Sequence, residues 1–284
     1  KFYDYKLRVL GSNISLDRFY YNTNPVSVIE DLIKISSPNI DEKTIFVWPE
    51  GILPDISQKE LVEFKWLFNE NFNENHLFII GINKQSIKNN YKDYFNTFSI
   101  YDNELNLLHS YNKIKLVPFG EFLPFHTYFE KIGLKKITEG FGSFSNGNIT
   151  NTFSYDNLNI IPLICYEIIF PELIQKIKLK NNLLINISED GWFGDTVGPY
   201  QHFSKSIFRA IESDSFILRS ANKGISAIIN NKGQVIKALK NNETGYIEYR
   251  LPIIEKKGGN KNDLIFFVLL FTYCLISLRY KKND

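Results

Sequence analysis

The sequence predicts an α/β domain followed by a single C-terminal membrane helix. Short apolar, β-rich runs recur with helix-spaced stretches between them, no Pro/Gly/Ser-rich linker intervenes before about residue 255, and an uncharged apolar run fills residues 264–278. The expected parts are a domain over 1–258 and a terminal helix with a basic tail over 259–284.

In chain order, the runs expected to form strands are 7–10, 44–48, 76–82, 96–101, 158–164, 181–187, 226–230 and 245–250. Residues 57–71 place Leu61, Phe64, Leu67 and Phe68 at helical spacing, with Ser57 offered as the cap; residues 201–213 repeat the pattern with Phe203, Ile207, Phe208 and Ile211. The terminal run LIFFVLLFTYCLISL has fewer residues than the roughly 20 that span a bilayer, but Arg279, Tyr280, Lys281 and Lys282 follow it and can snorkel. Those basic residues predict a cytoplasmic C-terminus, with residues 1 to about 260 on the opposite, periplasmic or outer face. Cys274 then lies within lipid and cannot bridge to Cys165, which is expected as a free thiol.

With 44% hydrophobic and 15% aromatic residues, the chain can bury a sizeable core, and a net charge of +2 gives no reason to expect nucleic acid. The composition contains no methionine, so residue 1 is not a translation start and an upstream segment is expected. No internal repeat is visible. There is no metal-ligand spacing, and Gly140-Phe141-Gly142 lacks the strand-turn-helix setting of a phosphate loop, so neither metal nor cofactor is expected.

Reactive groups in α/β sheets cluster beyond strand ends. Glu50 follows the run from Ile45 to Pro49, Lys113 lies in Tyr111-Asn112-Lys113-Ile114-Lys115, and Cys165 follows the run from Ile160 to Ile164. Singly, each reads as ordinary: a loop carboxylate, a surface lysine, a buried thiol. Together they supply a base, an ammonium for thiolate and oxyanion, and a nucleophile for acyl chemistry. None of the four histidines can be placed beside Cys165 from sequence, which argues against a Cys/His arrangement.

Glu after an apolar run, Tyr-x-Lys and Cys-Tyr-Glu, in that order, resemble the Glu-Lys-Cys triad of the nitrilase, or carbon-nitrogen hydrolase, superfamily. Four further segments narrow the resemblance: KIKLVPFGEFLP from Lys113, DGWFGD from Asp190, GPYQHF from Gly198 and LRSANKG from Leu218. Over residues 5 to 250 they resemble the catalytic domain of bacterial apolipoprotein N-acyltransferases. That family implies a four-layer α-β-β-α sandwich, with Glu50 as general base, Lys113 as stabiliser and Cys165 as the acylated nucleophile. Strand alternation puts Lys113 and Lys115 on one face; the family pattern selects Lys113, eight residues before the Glu of PFGE. Glu121 matches a second essential acid, Tyr166 and Glu167 match residues flanking the nucleophile, and Trp192 matches an aromatic near the substrate entrance.

The resemblance further implies a phospholipid acyl donor, a diacylated apolipoprotein acceptor, a thioester on Cys165 and a place in the bacterial inner membrane. The aromatic stretches 119–129 and 141–144 are expected to line the entrance. Where the family usually has Ser-Asn-Asp, this chain has Ser188-Glu189-Asp190, adding a charge near the expected pocket. The family's full-length proteins also carry several membrane helices before this domain and one after it, and only the last is visible here. The alternatives are a nitrilase-like amidase acting on a small soluble amide, and an inert membrane-tethered fragment.

Overall fold

The computed structural model describes residues 2–88, 91–122, 124, 143–148, 152–155, 158–175, 177, 182–253 and 262–280. The chain forms two compact units, Lys1–Ile253 and Ile254–Asp284. In the first, strands β1 (Phe2–Ser12), β2 (Thr44–Val47), β3 (Leu53–Ser57), β4 (His76–Lys88), β5 (Tyr91–Asp102), β6 (Leu107–Asn112) and β13 (Gly245–Pro252) make one half of a continuous sheet. Strands β7 (Phe153–Tyr155), β8 (Leu158–Ile164), β9 (Asn182–Glu189), β10 (Phe216–Asn222), β11 (Ala227–Ile229) and β12 (Val235–Ala238) make the other. The order along the main path is β6-β5-β4-β2-β1-β10-β9-β8-β7. The halves join where Gly11 and Ser12 at the end of β1 pair with Ala221 and Asn222 of β10.

Each half carries its own helical layer. Helix α1 (Pro25–Ser36) begins with Pro25 in its first turn and Asn24 accepting from the Val26 N–H, and helix α2 is Lys65–Asn71. Their residues Ile29, Leu32, Ile33, Leu67 and Phe68 pack on Phe46, Trp48, Phe78 and Ile80 of the first half. On the second half, the one-turn helix α3 (Glu172–Gln175) and helix α4 (Gly198–Ser213) bring Leu173, Ile174 and Ala210 against Ile161, Leu163, Leu184, Ile217 and Ile229. The opposite sheet faces meet: Tyr5 and Tyr155 rings lie 5.5 Å apart, and His109 and Phe153 rings 5.4 Å apart. The layers therefore run helix, sheet, sheet, helix, each sheet burying an apolar face on each side.

Ser57 is not a helix cap. It ends β3, and its backbone N–H donates to Glu60 at 2.8 Å, because the following segment starts as a 3-10 turn at Glu60–Phe64 before α2. Strands β6, β7, β10 and β12 and helices α1 and α3 lie outside the expected runs altogether, and β3 meets one only at Ser57.

The second unit contains helix α5 (Asn262–Tyr280). Among the described residues, no helix is long and apolar enough to cross a membrane. Side chains are described for 265–276 of α5, a rise of about 18 Å; the rest of the expected span and its basic tail lie outside them.

Candidate active site

Parallel strands of both halves end at one place. Glu50 stands three residues past β2, Cys165 follows β8 directly, Glu189 ends β9 and Asn222 ends β10. Lys113 follows β6, with its backbone N–H on the Asn96 carbonyl at 2.9 Å and its carbonyl on the Gly147 N–H at 2.7 Å.

The Lys113 ammonium, 1% exposed, donates to Glu50 Oε1 at 3.2 Å and Glu121 Oε1 at 2.9 Å. Burial alone would lower its pKa; the charges of Glu121 and Glu50 outweigh that and hold Lys113 above its ordinary value, as a fixed cation. Asn96, which sequence reasoning missed, spans the same two carboxylates: its Nδ2 donates to Glu50 Oε1 at 2.6 Å and to Glu121 Oε1 at 2.9 Å. The other carboxylate oxygens take backbone donors, Glu50 Oε2 from Glu189 N–H at 3.0 Å and Glu121 Oε2 from Val117 N–H at 2.9 Å. Gly81 leaves room for this turn, since a Cβ there would stand 2.7 Å from the Glu50 Cα.

Lys113 and Lys115 do not share a face. β6 ends at Asn112, so strand alternation no longer governs them, and Lys115 turns outward to Glu172 at 3.2 Å with its ammonium 5.0 Å from the Phe170 ring centre.

Cys165 is a partly exposed free thiol with φ of 48°, a left-handed backbone that costs a non-glycine residue roughly 1–3 kcal/mol. Burial of its sulfur, then the negative charge of Glu50, push its pKa well above the ordinary thiol range, with Lys113 pulling the other way. The resting thiol is thus protonated, and any attack by its sulfur would require that the proton be taken.

A buried ring of polar groups holds the strained residue. His202 Nε2 lies 3.1 Å and Asn186 Nδ2 3.4 Å from the Cys165 carbonyl; His202 Nδ1 lies 2.9 Å from Asp190 Oδ1; Arg219 closes the circuit onto Asp190 Oδ2 at 2.6 Å and onto Asn186 Oδ1. A histidine does therefore stand beside Cys165, but at its carbonyl rather than its sulfur. Burial would raise the Asp190 pKa, yet Arg219 and then His202 hold it below the usual carboxylate range.

Glu167 is fully buried and accepts four donors: Tyr111 Oη at 2.8 Å, Ile114 N at 2.7 Å and Lys115 N at 3.1 Å on Oε1, and Ile164 N at 2.9 Å on Oε2. It ties the Lys113 segment to the strand that carries Cys165. Burial raises its pKa against those bonds and the Lys113 charge. Tyr166 is partly exposed and packs edge-on against Phe170 at 5.1 Å. Trp192 is at the surface rather than in the core, 40% exposed on the 3-10 turn Asp190–Phe193, with its ring 4.9 Å from Phe19. Of the expected entrance stretches, residues 123, 125–129, 141 and 142 lie outside the described ones; Phe119 is exposed, with φ of 62°.

The charge added at Glu189 is paired. Its carboxylate meets the Arg18 guanidinium and accepts from Asn222 Nδ2 at 2.8 Å and Gly191 N–H at 2.8 Å. Arg18, too, was invisible as a site residue in the sequence, where nothing distinguishes it from a surface arginine.

The carbon-nitrogen hydrolase family model matches residues 42–253. Curated relatives named apolipoprotein N-acyltransferase include that of Rhizobium leguminosarum, 35% identical over 72% of this chain and 39% of its own length. That of Allorhizobium ampelinum is 31% identical over 95% of this chain and 53% of its own, and that of Wigglesworthia glossinidia 34% identical over 81% and 46%. The chain thus spans about two fifths to one half of the length of these relatives. Among solved structures, a variant of the amidase from Nesterenkonia sp. AN1, with the acetamide moiety of fluoroacetamide on its active-site cysteine, superposes with a TM-score of 0.59 at 14% identity, covering 89% of this chain and 92% of that one. XC1258 from Xanthomonas campestris, a CN-hydrolase superfamily protein with an arsenic adduct in its active site, gives 0.60 at 12% identity, covering 87% and 90%.

Proposed function

Because the chain belongs to the carbon-nitrogen hydrolase family, we propose that it transfers a fatty acyl group from a membrane phospholipid, through a thioester on Cys165, to the α-amine of an S-diacylglyceryl-cysteine at the N-terminus of an apolipoprotein. The observation that carries this reading is the convergence of Glu50, Lys113 and Cys165 in a chain aligned over nearly its whole length with a relative named apolipoprotein N-acyltransferase.

In the first half-reaction the Cys165 sulfur attacks the ester carbonyl while its proton passes to Glu50, and the oxyanion forms beside the Lys113 ammonium. Collapse breaks the ester C–O bond, and the lysophospholipid alkoxide leaves with the proton from Glu50. In the second, the acceptor amine attacks the thioester, Glu50 takes an amine proton, and the Cys165 thiolate leaves and is reprotonated. Asn96 and Glu189 N–H aim the base; Glu121 fixes the second side of Lys113; Tyr166 and Trp192 border the approach. Water must be kept from the thioester between the two steps.

Helix α5 is proposed as the anchor in the bacterial inner membrane, with the catalytic unit on the periplasmic face and the C-terminus cytoplasmic. Its described side chains support that reading: they are apolar nearly all round and exposed within their own unit, as a helix in lipid would be.

The test is the intact mass of the full chain after incubation with phospholipid vesicles, with and without neutral hydroxylamine, beside Cys165→Ser. An acyl-sized gain that hydroxylamine removes and the variant lacks supports the thioester. A folded, vesicle-bound chain that gains no mass refutes the phospholipid donor.

A further inference from the structure

We propose that Arg18 and Glu189 form a positioning pair for the Glu50 carboxylate, setting its aim at Cys165 rather than merely stabilising the fold. This rests on the reading of Glu50 as the base.

The Glu50-Gly51 turn is gripped at two points by this pair. Glu189 holds the carboxylate itself through its backbone N–H to Glu50 Oε2 at 3.0 Å. Arg18 holds the next peptide, its Nε donating to the Gly51 carbonyl at 2.9 Å. Gly51 has φ of 62°, a conformation open to glycine at little cost, so the second residue of the turn brings no side chain of its own to hold its peptide. The lock comes from outside: the guanidinium spans Gly51 O, Ser15 O at 2.7 Å, Ile14 O at 3.3 Å and the Glu189 carboxylate.

Both members are almost wholly buried, at 1% and 2% exposure. A buried ion pair is poor evidence for stability, because desolvation offsets much of its attraction and apolar residues of similar volume often serve as well. Here, the specific content is where the donors point. Asn222 extends the assembly, donating to Glu189 Oε2 while its Oδ1 accepts from Ser12 Oγ at 2.7 Å and Ile14 N–H at 2.9 Å. The Arg18 guanidinium also lies over the Phe19 ring at 4.4 Å, and that ring meets Trp192 at 4.9 Å. One pair therefore links the turn bearing the base to the turn bearing Trp192.

The experiment compares the full chain with Arg18→Met/Glu189→Leu, an apolar replacement of both charges, and with Arg18→Lys, which keeps the charge but loses the planar fork that reaches Gly51. The probe is p-nitrophenyl butyrate: Cys165 sulfur attacks its carbonyl, p-nitrophenolate leaves, and the thiol proton passes to Glu50. Burst kinetics give the acylation rate constant and the apparent ester affinity; thermal melting gives stability. A positioning role predicts a double variant melting within a few degrees of the parent, with acylation at least tenfold slower and ester affinity unchanged. Arg18→Lys is expected to lie between the two. Acylation at the parental rate in either folded variant overturns the proposal. The ester carries its own leaving group, so a chain that takes no acyl group from phospholipid but bursts with the ester would count against the proposed donor and leave this comparison intact.

Discussion

Replacing Glu167 tests whether it braces the site or reacts in it. In Glu167→Gln the amide oxygen can keep the three bonds now made by Oε1, to Tyr111, Ile114 and Lys115, while the NH2 group faces the Ile164 N–H that Oε2 now accepts. One buried donor is left without an acceptor, a loss of about 1–3 kcal/mol. In Glu167→Ala all four donors lose their acceptor, so even the lower figure per donor sums to about 4 kcal/mol, before any cavity is counted. That is a large share of the roughly 5–15 kcal/mol that holds a domain folded. Urea unfolding followed by tryptophan fluorescence, with Trp48 fully buried in the first half, reads both variants. The expected result is a folded Glu167→Gln with a lowered midpoint and a Glu167→Ala that is unfolded or less stable by about 4 kcal/mol or more. A Glu167→Ala within about 1 kcal/mol of the parent, near the net worth of a single hydrogen bond, would refute the brace.

Three other outcomes follow from the same geometry. Lys113→Ala should slow acylation of Cys165 by p-nitrophenyl butyrate by about a hundredfold or more, while Lys115→Ala, facing Glu172, should change it less than threefold by the same burst assay. Gly81→Ala should lower that rate at least tenfold, because its Cβ meets the Glu50 Cα at 2.7 Å and the Pro49 carbonyl at 3.1 Å, backbone atoms that cannot swing aside; a parental rate would show that the turn yields. Asp190 has a folded pKa below its ordinary 3.8, so its contribution to stability is present above that value and is lost as the pH falls below it. Urea midpoints of the parent should therefore decline below about pH 4, and Asp190→Asn should start lower and decline less.

The apolar runs reveal the central strands because buried parallel strands are short, branched and continuous: 158–164 is strand β8 with the same ends, and 44–48 differs from β2 by one residue. Cys165 and Glu50 stand out because they end such runs. Strand β10 is hidden for the opposite reason. All seven of its residues are buried, yet Arg219, Ser220 and Asn222 make it read as polar, since their partners come from β1, β9 and the Asp190 turn. Helix α1 carried a readable start in Asn24-Pro25 and a spaced apolar face in Ile29, Leu32 and Ile33, and needed only those signals to be weighed. Asn96, His202, Arg18 and the pairing of Glu189 were not legible, because each takes its meaning from a neighbour 37 to 171 residues away.

The seam at Gly11 and Ser12 makes the order of assembly chemically consequential. Glu50 and Lys113 belong to one side of that seam and Cys165 to the other, so a nascent or half-folded chain exposes a thiol with no base to accept its proton and no cation to receive an oxyanion. Such long-range closure is slow to form. On the proposed thioester mechanism, reactivity is switched on by the completion of the tertiary structure itself, and premature capture of stray acyl groups during synthesis is disfavoured.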